Sequence, residues 1–237
     1  MSAIPEPLTI AVGESGPVSG LLQVPGGARA CYVMAHGAGA GMTHAFMSTI
    51  ASDLAEHGIA TLRFQFPYME RGTRRPDPPK LAQATVRAAV NEALRRLPGL
   101  PLFAGGRSFG GRMSSQAQAA SPLPGVRAIV FLGFPLHPAG EPSSDRAAHL
   151  DDVRIPMLFL QGTKDELADL QLLEALVDRL GARATLELFE DADHSFHVPA
   201  RTGRKDSDIR AAIVNAMDTW VDSIVRQAAA PNPRAMT

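Results

Sequence analysis

Gly106-Arg107-Ser108-Phe109-Gly110 fits the pattern G-x-S-x-G, in which a serine sits between glycines that permit a tight turn. A serine hydroxyl is a poor nucleophile until a base takes its proton and a carboxylate steadies the resulting cation. Residues of both kinds follow. Gly162-Thr163-Lys164-Asp165-Glu166 closes one apolar stretch, and Glu190-Asp191-Ala192-Asp193-His194-Ser195-Phe196 closes another. The order Ser108, Asp165, His194 is that of a nucleophile, an acid and a base. Earlier, His36-Gly37-Ala38-Gly39-Ala40-Gly41 offers backbone N–H groups to a carbonyl oxygen gaining charge. With the amide that follows the nucleophile, the expected donors are Ala38 and Phe109.

Each of these residues has rivals. G-x-S-x-G alone arises by chance in roughly one chain in ten of this glycine content, so its placement must carry the argument. His197 is a second candidate base and ranks after His194. Asp169 opens a helical stretch and reads as a cap. Asp191 and Asp193 sit so close to His194 that bonds to local backbone suit them better. Glu166 reads as exposed, and His36 as a structural residue bonded to backbone. Gly37, Gly39 and Gly41 lack G-x-G-x-x-G spacing because position 42 is Met, and no G-x-x-x-x-G-K-[ST] is present. No H-E-x-x-H or similar pattern accompanies the histidines, so neither a metal nor a cofactor is expected.

Short apolar runs alternate with amphipathic stretches and must position these groups. Strands are expected at Leu8–Val12, Gly20–Val24, Cys31–Ala35, Ile59–Phe64, Leu102–Gly105, Val126–Phe131, Met157–Gln161 and Thr185–Phe189. Helices are expected at Thr43–His57, Lys80–Leu97, Phe109–Ala120, Leu170–Leu180 and Asp206–Arg226. Pro67–Pro79 reads as a loop, Leu136–Asp152 as polar and irregular, and residues 228–237 as a frayed tail. The alternation predicts an α/β fold: a mostly parallel, eight-stranded twisted sheet with helices on both faces, its first two strands an antiparallel edge. Ser108 then falls between a strand and a helix. Asp165 and His194 fall at C-terminal strand ends, the ligand-binding edge of open α/β sheets.

Composition narrows the classes. Hydrophobic residues form 45% and charged residues 20%, which excludes a disordered chain. A single domain over residues 1–237 is expected, its core at about 8–226. The net charge of −1 gives no field to draw in nucleic acid or an acidic membrane. Cys31 is the one cysteine; it lies in an apolar strand, reads as inert, and rules out an internal disulfide framework. The N-terminal residues show no basic stretch followed by an apolar run, and no run reaches the roughly 18–20 apolar residues of a membrane span. The expected location is cytoplasmic. Oligomeric state is not legible.

Taken together, HGAGAG, GGRSFGG, LFLQGTKDEL and DADHSF resemble the α/β-hydrolase superfamily in order and content across about residues 8–226. HGAGAGMTHAFM, FQFPYMERG, GGRSFGGR and PLHP are similar to its compact branch, which includes dienelactone hydrolases and a testis-expressed hydrolase-like protein. The resemblance implies a triad of Ser108, Asp165 and His194 with Ala38 and Phe109 as oxyanion donors. Dienelactone hydrolases proper use Cys as nucleophile, whereas position 108 is Ser, which favours ordinary ester cleavage. Many relatives insert a helical cap between the sixth and seventh strands; residues 132–156 are too few for one here. Met42, His44, Tyr68, Met69, His137 and Phe196 lie on loops near strand ends and are expected to line an apolar cleft, whereas Phe64 and Phe66 read as core. Arg71, Arg74 and Arg75 read as a solvated loop. The expectation is a serine hydrolase that binds a small ester. Thioesters or amides would suit the same groups, and a partner-binding protein without turnover is the rival of another class.

Overall fold

The computed structural model describes residues 3–229. Eight strands form one sheet: β1 (Glu6–Ala11), β2 (Pro17–Gln23), β3 (Ala30–Ala35), β4 (Ile59–Phe64), β5 (Leu102–Arg107), β6 (Val126–Leu132), β7 (Met157–Gly162) and β8 (Ala184–Phe189). Their spatial order is β1-β2-β4-β3-β5-β6-β7-β8. The first two strands pair antiparallel, β2 meets β4 antiparallel, and every later pairing is parallel. Six helices accompany them: α1 (Ala45–Glu56), α2 (Pro67–Glu70), α3 (Pro79–Arg96), α4 (Phe109–Ala120), α5 (Leu170–Leu180) and α6 (Asp206–Ala229).

Strands β3 and β4 are buried at every position, as strands covered on both faces must be. Their side chains alternate between two cores. Cys31, Val33 and Ala35 of β3 join a cluster with residues of α3, α4 and α5, while Tyr32 and Met34 join one with Met47, Ile50 and Leu54 of α1 and Ile209, Ile213 and Met217 of α6. Burying one such aliphatic or aromatic side chain stabilises the fold by roughly 1.5–3 kcal/mol. The sheet is therefore a stiff platform, and the loops after β3, β5, β7 and β8 leave it at the same C-terminal edge.

Two expectations need correction. Pro67–Pro79 is not wholly loop: Pro67 starts the short helix α2, and Pro79 begins α3. Proline suits a first helical position, where its missing N–H costs nothing. Residues 228 and 229 continue α6 instead of fraying, and 230–237 lie outside the described residues. Between β6 and β7 the chain forms only a 3₁₀ turn over Asp145–Asp152, so no cap domain covers the sheet edge.

Candidate active site

Strand β5 ends in a turn too sharp for ordinary backbone. Ser108 sits at φ 49°, ψ −117°, outside the regions that a side-chain-bearing residue prefers. Close packing holds it there. A Cβ on Gly106 would stand 2.0 Å from the Ala35 carbonyl oxygen, and one on Gly110 would stand 2.5 Å from the carbonyl oxygens of Ala35 and His36. Only glycine lets α4 and β5 approach β3 so closely. The Ser108 N–H donates to the Leu132 carbonyl at 3.1 Å, and the Ser108 carbonyl accepts from Arg112 N–H, the first turn of α4. The hydroxyl thus stands at a helix N-terminus, where unpaired N–H groups and the dipole favour negative charge.

The loops after β7 and β8 meet over this hydroxyl. His194 Nε2 lies 2.9 Å from Ser108 Oγ, and His194 Nδ1 lies 2.7 Å from Asp165 Oδ2. A buried carboxylate accepts, so Nδ1 carries the proton and Nε2 is left to accept from the serine hydroxyl. The Asp165 side chain is fully buried. Oδ1 accepts the Leu167 N–H at 2.8 Å, and Oδ2 also accepts from Gln161 Nε2. Gln161 is itself buried, its Oε1 accepting the Phe134 N–H at 2.8 Å, which fixes which end of the amide faces the carboxylate. The two loops are stitched together by backbone: Lys164 N–H donates to the Ala192 carbonyl at 2.9 Å, Thr163 N–H to the Phe189 carbonyl at 3.1 Å, and Asp191 N–H to Thr163 Oγ1 at 2.9 Å.

The loop after β3 closes a third side. His36 is wholly buried, donating from Nδ1 to the Gly37 carbonyl at 2.8 Å and accepting the Phe66 N–H at Nε2. Burial pushes its pKa down to about 4, against the opposing pull of the Gly37 bond, so the ring is a neutral strut. Gly37 then passes so near the elbow that a Cβ there would stand 3.8 Å from Ser108 Cβ. Neither Ala38 nor Phe109 N–H donates to an acceptor among the described residues.

Gly37, Ala38, Gly39, Ala40, His44, Arg107, Ser108, Leu167 and His194 line a cavity of about 400 Å³ beside the hydroxyl. Of the expected pocket residues, only His44 lines it; that side chain also caps α1 by accepting the Phe46 N–H. The other five are corrected. Tyr68 is fully buried in the first core cluster, and Met69 packs against that cluster. Met42 is buried with its N–H on Gln65 Oε1. Phe196 belongs to the second cluster, stacked on Phe46 with 5.9 Å between ring centres. His137 is turned away: Nδ1 meets the Pro138 carbonyl, Nε2 accepts the Asp169 N–H at 2.7 Å, and the residue borders a separate cavity. Loops near strand ends belong to the site only where their side chains point over the edge; these five are needed by the packing beneath.

Three of the rival acids and bases are engaged elsewhere. His197 is exposed and pairs with Asp206, each holding the other in its charged form. Asp169 caps α5 through the Leu172 N–H, and Asp193 accepts from the Ser195 and His197 amides. Cys31 is buried, which pushes its thiol up to about 12. Arg71 pairs with Asp77. Gln161, Arg107 and Leu167 escaped sequence reasoning. Gln161 had a signal, being the one polar residue in an otherwise apolar strand.

Comparison with known proteins adds the family context. A sequence model of the alpha/beta hydrolase domain matches residues 28–222. Among solved structures, a lid-less α/β serine hydrolase from Xanthomonas campestris superposes with a TM-score of 0.71 at 24% identity, covering 91% of this chain and 94% of that one. A dienelactone hydrolase from Anabaena variabilis gives 0.74 at 22% identity, covering 93% and 97%. An esterase domain from Rhodothermus marinus gives 0.71 at 18%, covering 94% and 99%.

Proposed function

The chain belongs to the alpha/beta hydrolase family, and from that premise we propose that it cleaves small carboxylic esters with Ser108 as nucleophile. The observation that carries this reading is the unbroken hydrogen-bonded line from Ser108 Oγ through His194 to the buried Asp165 carboxylate.

Each group has a part that its environment supports. His194 Nε2 takes the hydroxyl proton as Ser108 Oγ attacks the acyl carbon. Asp165 holds the ring in the tautomer that leaves Nε2 open and stabilises the imidazolium once formed. The Ala38 and Phe109 amides, without an acceptor of their own, bind the oxygen that gains charge, each such donor contributing roughly 3–4 kcal/mol to the transition state. His194 then protonates the departing alcohol, leaving an ester of Ser108 and the acyl group. Water enters over the open edge, gives a proton to His194 and attacks the acyl carbon; as the acyl–oxygen bond breaks and the acid leaves, His194 returns that proton to Ser108 Oγ. The expected substrate is small, because the cavity is about 400 Å³ and no cap domain extends it.

Steady-state hydrolysis of p-nitrophenyl esters tests the reading. We expect turnover with a preference for short acyl chains, and a loss of about 10³-fold or more in kcat for Ser108→Ala with the fold retained. Ser108→Ala with wild-type activity refutes it.

A further inference from the structure

We infer that the substrate carries a carboxylate besides its ester, and that Arg107 is the residue that selects it. The inference rests on the proposed hydrolase reading and deepens it. Arg107 precedes the nucleophile and lines the same cavity as Ser108, Ala38 and His194. Its guanidinium lies 4.9 Å from the centre of the Phe46 ring, and Nη2 donates to Ser195 Oγ at 3.0 Å. Those contacts hold the group by one face and one N–H, and a guanidinium has five N–H donors. Among the described residues no carboxylate forms an ion pair with it. The two acids nearest in charge are committed elsewhere: Asp165 to Gln161, Leu167 and His194, and Asp193 Oδ1 to two backbone amides. Among the described residues no Asp or Glu lines the cavity.

A part-buried cation without a counterion is costly, because its lost hydration is not replaced. Burial pulls the Arg107 pKa below its ordinary value, with Asp193 and Asp165 only opposing this. A planar fork with N–H donors to spare, on a residue that lines the cavity, is suited to two parallel bonds to a carboxylate. Arg107 and His44 also give the cavity a polar side, whereas Leu167 is apolar, so the two arms of an ester meet different surroundings.

The test compares esters that differ by one carboxylate. One pair puts it on the acyl arm: 4-nitrophenyl hexanoate against mono-4-nitrophenyl adipate. The other puts it on the leaving group: 4-nitrophenyl acetate against the acetate ester of 5-hydroxy-2-nitrobenzoic acid. Each kcat/KM is normalised to the rate of that ester with hydroxide. We expect the charged member of one pair to be favoured by about tenfold or more, as a charge-assisted hydrogen bond would give. The preference should shrink as salt rises, fall close to one in Arg107→Gln, and survive in part in Arg107→Lys. A wild-type enzyme that cleaves the neutral esters through Ser108 but shows no preference in either pair overturns this inference and leaves the hydrolase reading standing. A preference unchanged in Arg107→Gln, or insensitive to salt in the wild type, also overturns it. Cleavage of no ester by the folded protein overturns both.

Discussion

Asp165 Oδ2 receives two donors, His194 Nδ1 and Gln161 Nε2, and the second donor makes the carboxylate a fixed object. Removing it should therefore be felt at Ser108. We expect Gln161→Leu to lower kcat about tenfold with little change in KM, since the Phe134 N–H loses its acceptor and the carboxylate gains freedom to turn. A kcat within twofold of wild type would show that His194 is oriented without Gln161. At this scale the sequence was informative where residue type restricts chemistry. That Ser108, His194 and Asp165 would stand together was legible, because few residue types suit such a hydrogen-bonded line and their chain order narrowed the choice further. Gln161 was not singled out, because an amide is chemically versatile and only its neighbours reveal its partner. Tyr68 and Phe196 were misplaced for a related reason: an aromatic residue near a strand end suits a core as well as a cleft, and periodicity over a loop does not tell them apart.

The elements act through close approach. β5, α4 and β3 come together because Gly106 and Gly110 have no side chain, and Ser108 takes its unusual backbone angles as a consequence. Gly106→Ala should be severe. Its methyl would stand 2.0 Å from a carbonyl oxygen at φ 144°, a clash with backbone that no rotamer relieves. We expect a stability loss of about 3 kcal/mol or more, read by urea denaturation, with hydrolysis lost even where folded protein is recovered. A variant as stable and as active as wild type would mean that the turn has room to relax. Strand and helix positions were largely readable, because continuous apolar runs mark buried strands and four-residue spacing marks amphipathic helices. Helix α2 was not, since four residues opened by proline leave too little periodicity to read.

The whole molecule couples this edge to pH through a group outside the proposed chemistry. His36 is buried and neutral, with a pKa held down to about 4, while the unfolded chain protonates near 6.5. Its folded pKa lies below its unfolded one, so between pH 6.5 and 4 the unfolded state binds more protons. Stability is whole above pH 6.5 and falls as pH drops toward 4, by about 3 kcal/mol from this group. His149, also pushed down to about 4 by burial first and by Arg112 next, works in the same direction. We expect the urea midpoint to decrease steadily over that window and the dependence to flatten in His36→Gln. A wild-type midpoint independent of pH there would contradict the neutral, buried assignment. The overall architecture, a mostly parallel sheet with an antiparallel edge, followed from the alternation of apolar runs. Which loops converge did not, because it depends on strand order: placing β3 beside β5, and β7 beside β8, brings residues 36–41, 108, 165 and 194 to one place.

The most direct test of the account is covalent labelling of the folded protein by a fluorophosphonate, with the modified residue mapped by mass spectrometry. Such reagents report an activated serine irrespective of the natural substrate. We expect one modification, on Ser108, lost in Ser108→Ala and strongly slowed in His194→Ala. A folded protein that stays unmodified, or carries the label on another residue, would contradict it.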